Sequence, residues 1–276
     1  MLYQLVRDQA WTADEMAFYV SHCWDDVNSN GVIDNGDTVG IKDLGPGAGQ
    51  MDAWIYALGL DVTTTDIYGD VELALFNSRT VPAYEKLREI YTNNPGAMIH
   101  EAKPGFEDTT MANGNVLFFT QSMGFGEELR ASEVNYGILP LPKFDAEQED
   151  YRACFSNSAT TLAIASNLNL DRAAMVSALL ELLSAESYKQ VVPVYYETVL
   201  KGHYSKDAAD AEMFDRILDT FVFSFGFAYS SMSLDGISNI FRRLSTDYDL
   251  QHEIDSRRST WEVKLDQLLL ALEAVS

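Results

Sequence analysis

The sequence predicts a mixed α/β fold with helices in excess, and three observations point there. Segments of 3.6-residue apolar period recur along the chain, several opened by capping residues. A few short apolar runs bounded by Gly or Pro read as buried strands. The two kinds are mixed in order, which gives an α/β class, or α+β with helices in excess. With 276 residues there is room for one large domain or two smaller ones, and 47% hydrophobic against 22% charged residues excludes disorder as the default.

Taken in order, Thr12-Ala13-Asp14-Glu15 fits a capping box, and Met16, Tyr19, Val20 and Cys23 follow on one helical face. Gly, Asn and Asp crowd the stretch from Asp25 to Gly49, which reads as loop. A second helix is expected over Thr80 to Tyr91, with Pro82 in its first turn and Asn93-Asn94-Pro95-Gly96 stopping it. Strands are expected at Val116–Thr120, Tyr136–Leu139 and Thr160–Ala165. Between Asn169 and Val192, the spacing of Ala173, Val176, Leu180 and Leu183 predicts a long amphipathic helix. Ser259-Thr260-Trp261-Glu262 opens a last helix, whose Trp261, Leu265, Leu268 and Leu272 share a face. No internal repeat or low-complexity segment is present.

The formal net charge is -23. Such a surface repels phosphate backbones and anionic lipid, so nucleic acid is excluded as a partner. The longest apolar stretches, such as Thr220 to Tyr229, are too short to cross a bilayer. Cys23 and Cys154 belong to no CxxC pair and no His-rich cluster, so zinc is not expected. Two buried free thiols are the expectation, with a disulfide left open. The N-terminus lacks an apolar h-region and a small-residue cleavage site and does not read as a signal peptide.

The sharpest chemical signal runs from Asp26 to Asp37. It fits the twelve-residue calcium-loop template, with oxygen-bearing side chains of Asp26, Asn28, Asn30, Asp34 and Asp37 at alternating ligand positions. Calcium takes six to eight hard oxygen ligands, and this spacing on a tight loop converges them. Gly31 stands where the backbone must turn sharply, and Val32 would lend its carbonyl. An Asn/Gly-rich turn without metal would have a similar composition, and the last position is Asp where Glu is usual. The Gly-rich stretch after Thr38 allows no exiting helix, and no second loop exists. The metal is therefore expected to brace a helix-to-strand connection and not to act as a switch.

Catalysis finds no positive motif. His22, His100, His203 and His252 form no zinc-protease pattern, no GxSxG elbow occurs, and Gly45 to Gly49 lacks the Lys and Ser/Thr of a phosphate loop. A carboxylate pair of the glycosidase kind stays open among 42 acidic residues. The aromatic residues are more suggestive: Trp54 and Tyr56 follow the Gly-rich stretch, and Phe125 lies between two glycines. Sugar-binding clefts set flat rings against the apolar face of a pyranose and use amides and carboxylates for its hydroxyls.

Segment order carries a resemblance. Met111-Ala112-Asn113-Gly114-Asn115-Val116-Leu117-Phe118-Phe119 looks like a helix, a Gly turn and a strand entering a ligand cleft. Asn135 to Lys143 looks like the strand that leads on to a hinge, followed by the strand at Thr160, the helix at Asp171, and Pro193-Val194-Tyr195-Tyr196-Glu197. The series is similar to family 1 extracellular solute-binding proteins of bacterial ABC transporters, the sugar-type group with the type II periplasmic-binding fold. The likeness covers nearly the whole chain.

The resemblance implies two lobes closing on a ligand by hinge motion. It implies residues 1–143 as the first part of a C-terminal lobe, 144–192 as a segment returning to an N-terminal lobe, and 193–276 as C-terminal-lobe helices. It further implies a truncated chain, lacking a signal peptide and most of the first lobe. The whole protein would be a monomer, extracellular, either periplasmic or anchored to the membrane as a lipoprotein, delivering a carbohydrate to permease subunits. Carried over by position, Gln121, Ser122, Met123, Phe125, Trp54 and Tyr229 become candidate ligand neighbours, beside Tyr56. Ser122-Met123-Gly124-Phe125 replaces the family's Gly-Pro-Trp, which changes the stacking ring. A calcium-stabilised glycoside hydrolase, an accessory carbohydrate-binding module and a scaffold module are the alternatives.

Overall fold

A computed structural model describes residues 1–31, 33–34, 36–43, 49–99, 114–125, 129, 134–155, 162–198, 208–244 and 247–274. It is an α/β structure, about 52% helical, well above the roughly one third of an average domain. The excess of helix matches the sequence pattern. Two helices open the chain, α1 (Leu2–Arg7) and α2 (Ala13–His22). Thr12 caps α2, its side chain accepting the Glu15 N–H at 3.3 Å, and Met16 and Val20 are buried beneath it.

Next comes β1 (Val39–Asp43), buried at all five positions. This corrects the loop expected to run through to Gly49. The strand is short and contains Gly40, Lys42 and Asp43, so it lacks a long apolar run. It is covered on both faces by tertiary packing, as central parallel strands are. A 3-10 turn at Gly49–Asp52 leads into α3 (Ala53–Ala57), and β2 (Thr63–Thr65) and β3 (Val71–Leu73) form a small hairpin. The helix α4 (Thr80–Tyr91) has the predicted bounds. After it, Asn94 turns its amide back onto the carbonyls of Glu89 and Ala17, which ends the helix and ties it to α2.

The strands β4 (Ala97–Ile99) and β5 (Val116–Phe118) flank β1 in parallel, with Ile41 opposite both Ala97 and Phe118. The C-terminal end of α2 lies directly on this sheet. A Cβ on either Gly40 or Gly96 would overlap the Val20 carbonyl, so glycine permits the close approach. Further on, β6 (Ala153–Cys154) pairs in parallel with β7 (Phe221–Val222), across α5 (Leu170–Glu186) and α6 (Ala208–Asp219). The chain closes with α7 (Phe225–Ser230) and α8 (Leu250–Glu273). One apolar core, including Trp11, Trp54, Tyr84, Phe241 and Trp261, holds these elements together except for α5, none of whose residues belongs to it.

Three further expectations change. Tyr136–Leu139 is no strand: its neighbourhood is satisfied by side chains, with Ile138 N–H donating to Asp210 and the Trp11 indole donating to Pro140 O. Residues 162–165 are not a strand either, while Thr160 and Thr161 lie outside the described residues. The last helix starts at Leu250, nine residues before Ser259, capped by Asp249 at the His252 N–H (3.0 Å). The cap at Asp249 extends the apolar stripe back through Leu250 and Ile254, and the half-buried Glu253 pairs with Arg257 beside it.

The helix α5 forms where predicted, with Asn169 accepting the Arg172 N–H at 2.9 Å. Its expected buried face does not form. No residue of α5 is buried, and the chain runs on through a π-helical turn at Ser187–Val191 equally exposed. Leu170, Leu182, Leu183 and Tyr188 stand 88%, 58%, 56% and 75% exposed.

Candidate functional site

The Asp26 loop joins α2 to β1, and an Asp25–Thr38 bridge closes its base. Gly31 has φ +76°, the left-handed turn expected at that position. The Asp26 carboxylate accepts the N–H groups of Asn30 (3.1 Å) and Gly31 (2.7 Å). Asp34 Oδ2 accepts the amides of Asn28 (3.0 Å) and Asn30 (2.8 Å), so three of the five side chains meet at one point. Rotating each amide by half a turn presents its oxygen there instead, which would give a hard cation oxygen donors only. Asp37 is buried and accepts the N–H groups of Val27 and Asp34. Bonds from Gly36, Asn28 and Asn30 hold the Asp34 carboxyl below its ordinary range. Among the described residues no three acidic, histidine or cysteine side chains gather as a metal group; here two of the oxygen donors are amides. Val32 lies outside the described residues.

The larger feature is a cavity of about 780 Å³. It lies at the end of β5, between that strand, the 137–142 segment and the β6–β7 pair. Open parallel sheets place ligands outside the carboxyl ends of their strands. Its floor is apolar, with Trp11, Phe118, Phe119 and Phe227. Its polar groups are organised in pairs. Arg242 holds Asp52 through Nε at 2.6 Å and again through Nη2. Arg152 holds Asp61 through Nη1 at 3.1 Å and Nη2 at 2.6 Å. Gln50 donates to Gln121 at 3.3 Å.

Burial raises the Asp52 carboxyl and Arg242 opposes that rise, while the same contact raises the guanidinium. The bidentate geometry settles the pair as ionised. Behind the wall, the Tyr91 hydroxyl donates to the buried Asp43 at 2.9 Å and meets Thr120 at 3.2 Å, which fixes the loop after β5. Cys154 also lines the cavity, unpaired and half-buried like Cys23, and burial pushes its thiol up to about 12.

Gln121, Ser122 and Met123 line this cavity. Phe125 is buried against Phe119 at 5.2 Å between ring centres, one layer behind the lining. Tyr229 is half-buried against Phe225 and lies away from the lining. Trp54 and Tyr56 are core residues, both 0% exposed. The helix α3 is buried apart from Ala53, so both rings fill space, Trp54 edge-on to Tyr91 and Tyr56 edge-on to Phe227. Sequence reading missed Asp52, Arg152, Arg242 and Phe155. The Asp52–Arg242 partners are 190 positions apart, and no local pattern marks such a pair.

No protein-family model and no curated protein matches this chain. What fold and site define together is an α/β protein with a ligand-sized cavity at the carboxyl ends of a small parallel sheet.

Proposed function

We propose that this chain is the substrate-binding component of an ABC importer, of the family 1 extracellular solute-binding type, which takes a carbohydrate in the cavity between β5 and β6. The observation that carries this reading is the lining itself. Aromatic floor, an amide pair and two arginine–aspartate pairs supply the mixture of flat apolar faces and directed polar groups that a sugar needs.

The exposed α5 helix supports the two-lobed, type II arrangement. Its Leu170, Met175, Leu179, Leu182 and Leu183 stand exposed, apolar surface of a kind that marks an interaction site, and no helix among the described residues is long and apolar enough to cross a membrane. A second lobe over α5 would cover it and complete the cleft, and the sequence likeness supplies the same reading. In that frame the chain is mostly a C-terminal lobe, with permease subunits as partners and an extracellular, periplasmic or lipid-anchored setting. One calcium ion in the Asp26 loop would brace the entry to β1, held by Asp26, Asn28, Asn30, Asp34, Asp37 and the Val32 carbonyl.

Binding without turnover is favoured over hydrolysis by the carboxylates. Among the described lining residues Asp52 alone carries one, and Arg242 occupies both of its oxygens, whereas a glycosidase uses two. Thermal denaturation against a panel of neutral mono- and oligosaccharides, with and without calcium, tests the reading. A sugar that raises the midpoint and is recovered uncleaved supports it; cleavage of the sugar, or no shift with any member, overturns it.

A further inference from the structure

The cavity continues onto the surface. The β6–β7 pairing sets Ala153 opposite Phe221 and Cys154 opposite Val222, so Phe155 and Phe223 come together one residue beyond. Side chains two apart on a strand share a face, which puts Phe221 and Phe223 on one side with Phe155 between them. Phe155 meets Phe221 edge-on at 5.8 Å and stacks on Phe223 at 4.9 Å and 29°. Phe155 and Phe221 line the cavity, while Phe223 lies outside it, 78% exposed. The three rings form a continuous shelf from the wall to solvent.

Inside, the polar lining is balanced in charge. Each of the two arginines is held by an aspartate, Asp52 or Asp61, within a chain of net charge -23. An anionic ligand would meet that field and the Asp52 carboxylate together. Arg242 commits Nε and Nη2 to Asp52, and Gln121 Oε1 accepts from both Gln50 and the Ser122 N–H, so Arg242 Nη1 and Gln121 Nε2 remain as donors and Gln50 Oε1 as an acceptor. A lining with both donors and acceptors suits hydroxyl groups, which are both at once. The volume of about 780 Å³ is toward the upper end of the roughly 300–1,000 Å³ of ligand pockets.

We propose that the Phe155–Phe223 stack is a second subsite outside the cavity, and that the ligand is a neutral, linear oligosaccharide that leaves the cavity across it. This deepens the carbohydrate reading and rests on it. The exposed ring face of Phe223 takes the apolar face of a sugar unit beyond the mouth, while the arginine–aspartate and glutamine pairs bind the hydroxyls of the units inside.

Calorimetric titration of the full chain with glucose, maltotriose, cellotriose and trigalacturonate tests this. One neutral trimer is expected to bind at least about tenfold more tightly than glucose, and trigalacturonate more weakly than either neutral trimer. Phe223→Ala is expected to narrow the trimer-to-glucose ratio by about tenfold, and Phe223→Trp to restore it. Phe223 is so exposed that the truncation leaves no void, and an unchanged melting midpoint verifies folding. Glucose binding as tightly as the trimers, a ratio unmoved by Phe223→Ala, or preferred binding of trigalacturonate each overturns the subsite and leaves the carbohydrate reading standing. If none of the four sugars binds, the carbohydrate reading falls and the subsite with it.

Discussion

At the scale of single residues, the cavity wall contains a thiol that should be chemically quiet. Burial, followed by the nearby Asp52 charge, pushes Cys154 up to about 12 from an ordinary value of 9.0. At pH 8 the thiolate fraction is then on the order of one in ten thousand. Iodoacetamide at that pH should modify Cys154 at least about a hundredfold more slowly than an unfolded-chain cysteine, as read by mass spectrometry against a denatured control. The same shift has a defined sign in stability. Between the unfolded and folded values the folded chain binds the extra proton, so stability is intact below pH 9 and falls as pH rises from about 9 toward 12. Cys154→Ser should flatten part of that alkaline fall in melting midpoint; an identical slope would show the thiol does not contribute. The residue scale was also where sequence reading did best and worst. Gly31 and the Thr12 cap were legible because they are local, one a φ requirement and the other a contact three residues away. Trp54 and Tyr56 were misplaced because an aromatic beside a Gly-rich stretch looks the same whether its partners are a ligand or a core.

At the scale of elements, the two long helices make opposite predictions. The helix α8 buries Trp261 completely, stacked on Phe76 at 5.0 Å. Trp261→Ala should cost about 3–5 kcal/mol, since a large cavity opens in the core, and denaturant unfolding measures it. In α5, Leu182 is 58% exposed. Leu182→Glu in this chain should therefore shift stability by no more than about 0.5 kcal/mol, and a loss of several would mean the helix is packed after all. Capping and period sufficed to place the start of α5, whereas α8 begins nine residues before the Ser259 box, at the Asp249 cap. Whether an apolar face finds a partner is not written in its own segment, which is why α5 was expected to be buried and is not. The strands show the converse. β1 was hidden by Gly40, Lys42 and Asp43, and became the central strand because α2, β4 and β5 surround it.

At the scale of the whole molecule, the Asp26 loop ties two strands to one point. It feeds β1 directly, and Asn115, the residue before β5, donates its amide to Asp37 O at 2.7 Å. β5 runs on into the cavity lining and β1 pairs with it, so a calcium ion bound at their opposite ends would steady the cavity from behind. Calcium at about a hundred times its dissociation constant should stabilise the chain by about 2.7 kcal/mol, and EGTA should reverse the gain. Asp26→Ala with Asp34→Ala should abolish the calcium-dependent rise in melting midpoint; a rise that survives would remove the metal from this loop. The net charge of -23 opposes self-association through the exposed α5 surface, so sedimentation at moderate salt should find a monomer.

By itself the sequence determined the helical excess of an α/β fold, the bounds of α4, the capped starts of α2 and α5, and the oxygen-rich loop at Asp26. All of these depend on interactions within a few residues, where spacing and side-chain chemistry are sufficient. Only the tertiary structure decided that β1 is central, that Trp54 and Tyr56 are core, and that α5 stands uncovered. It alone joined Asp52 to Arg242 in the cavity wall and Phe155 to Phe223 at its mouth. Those outcomes depend on which distant segments meet, and burial is a property of the assembled chain that no single segment carries.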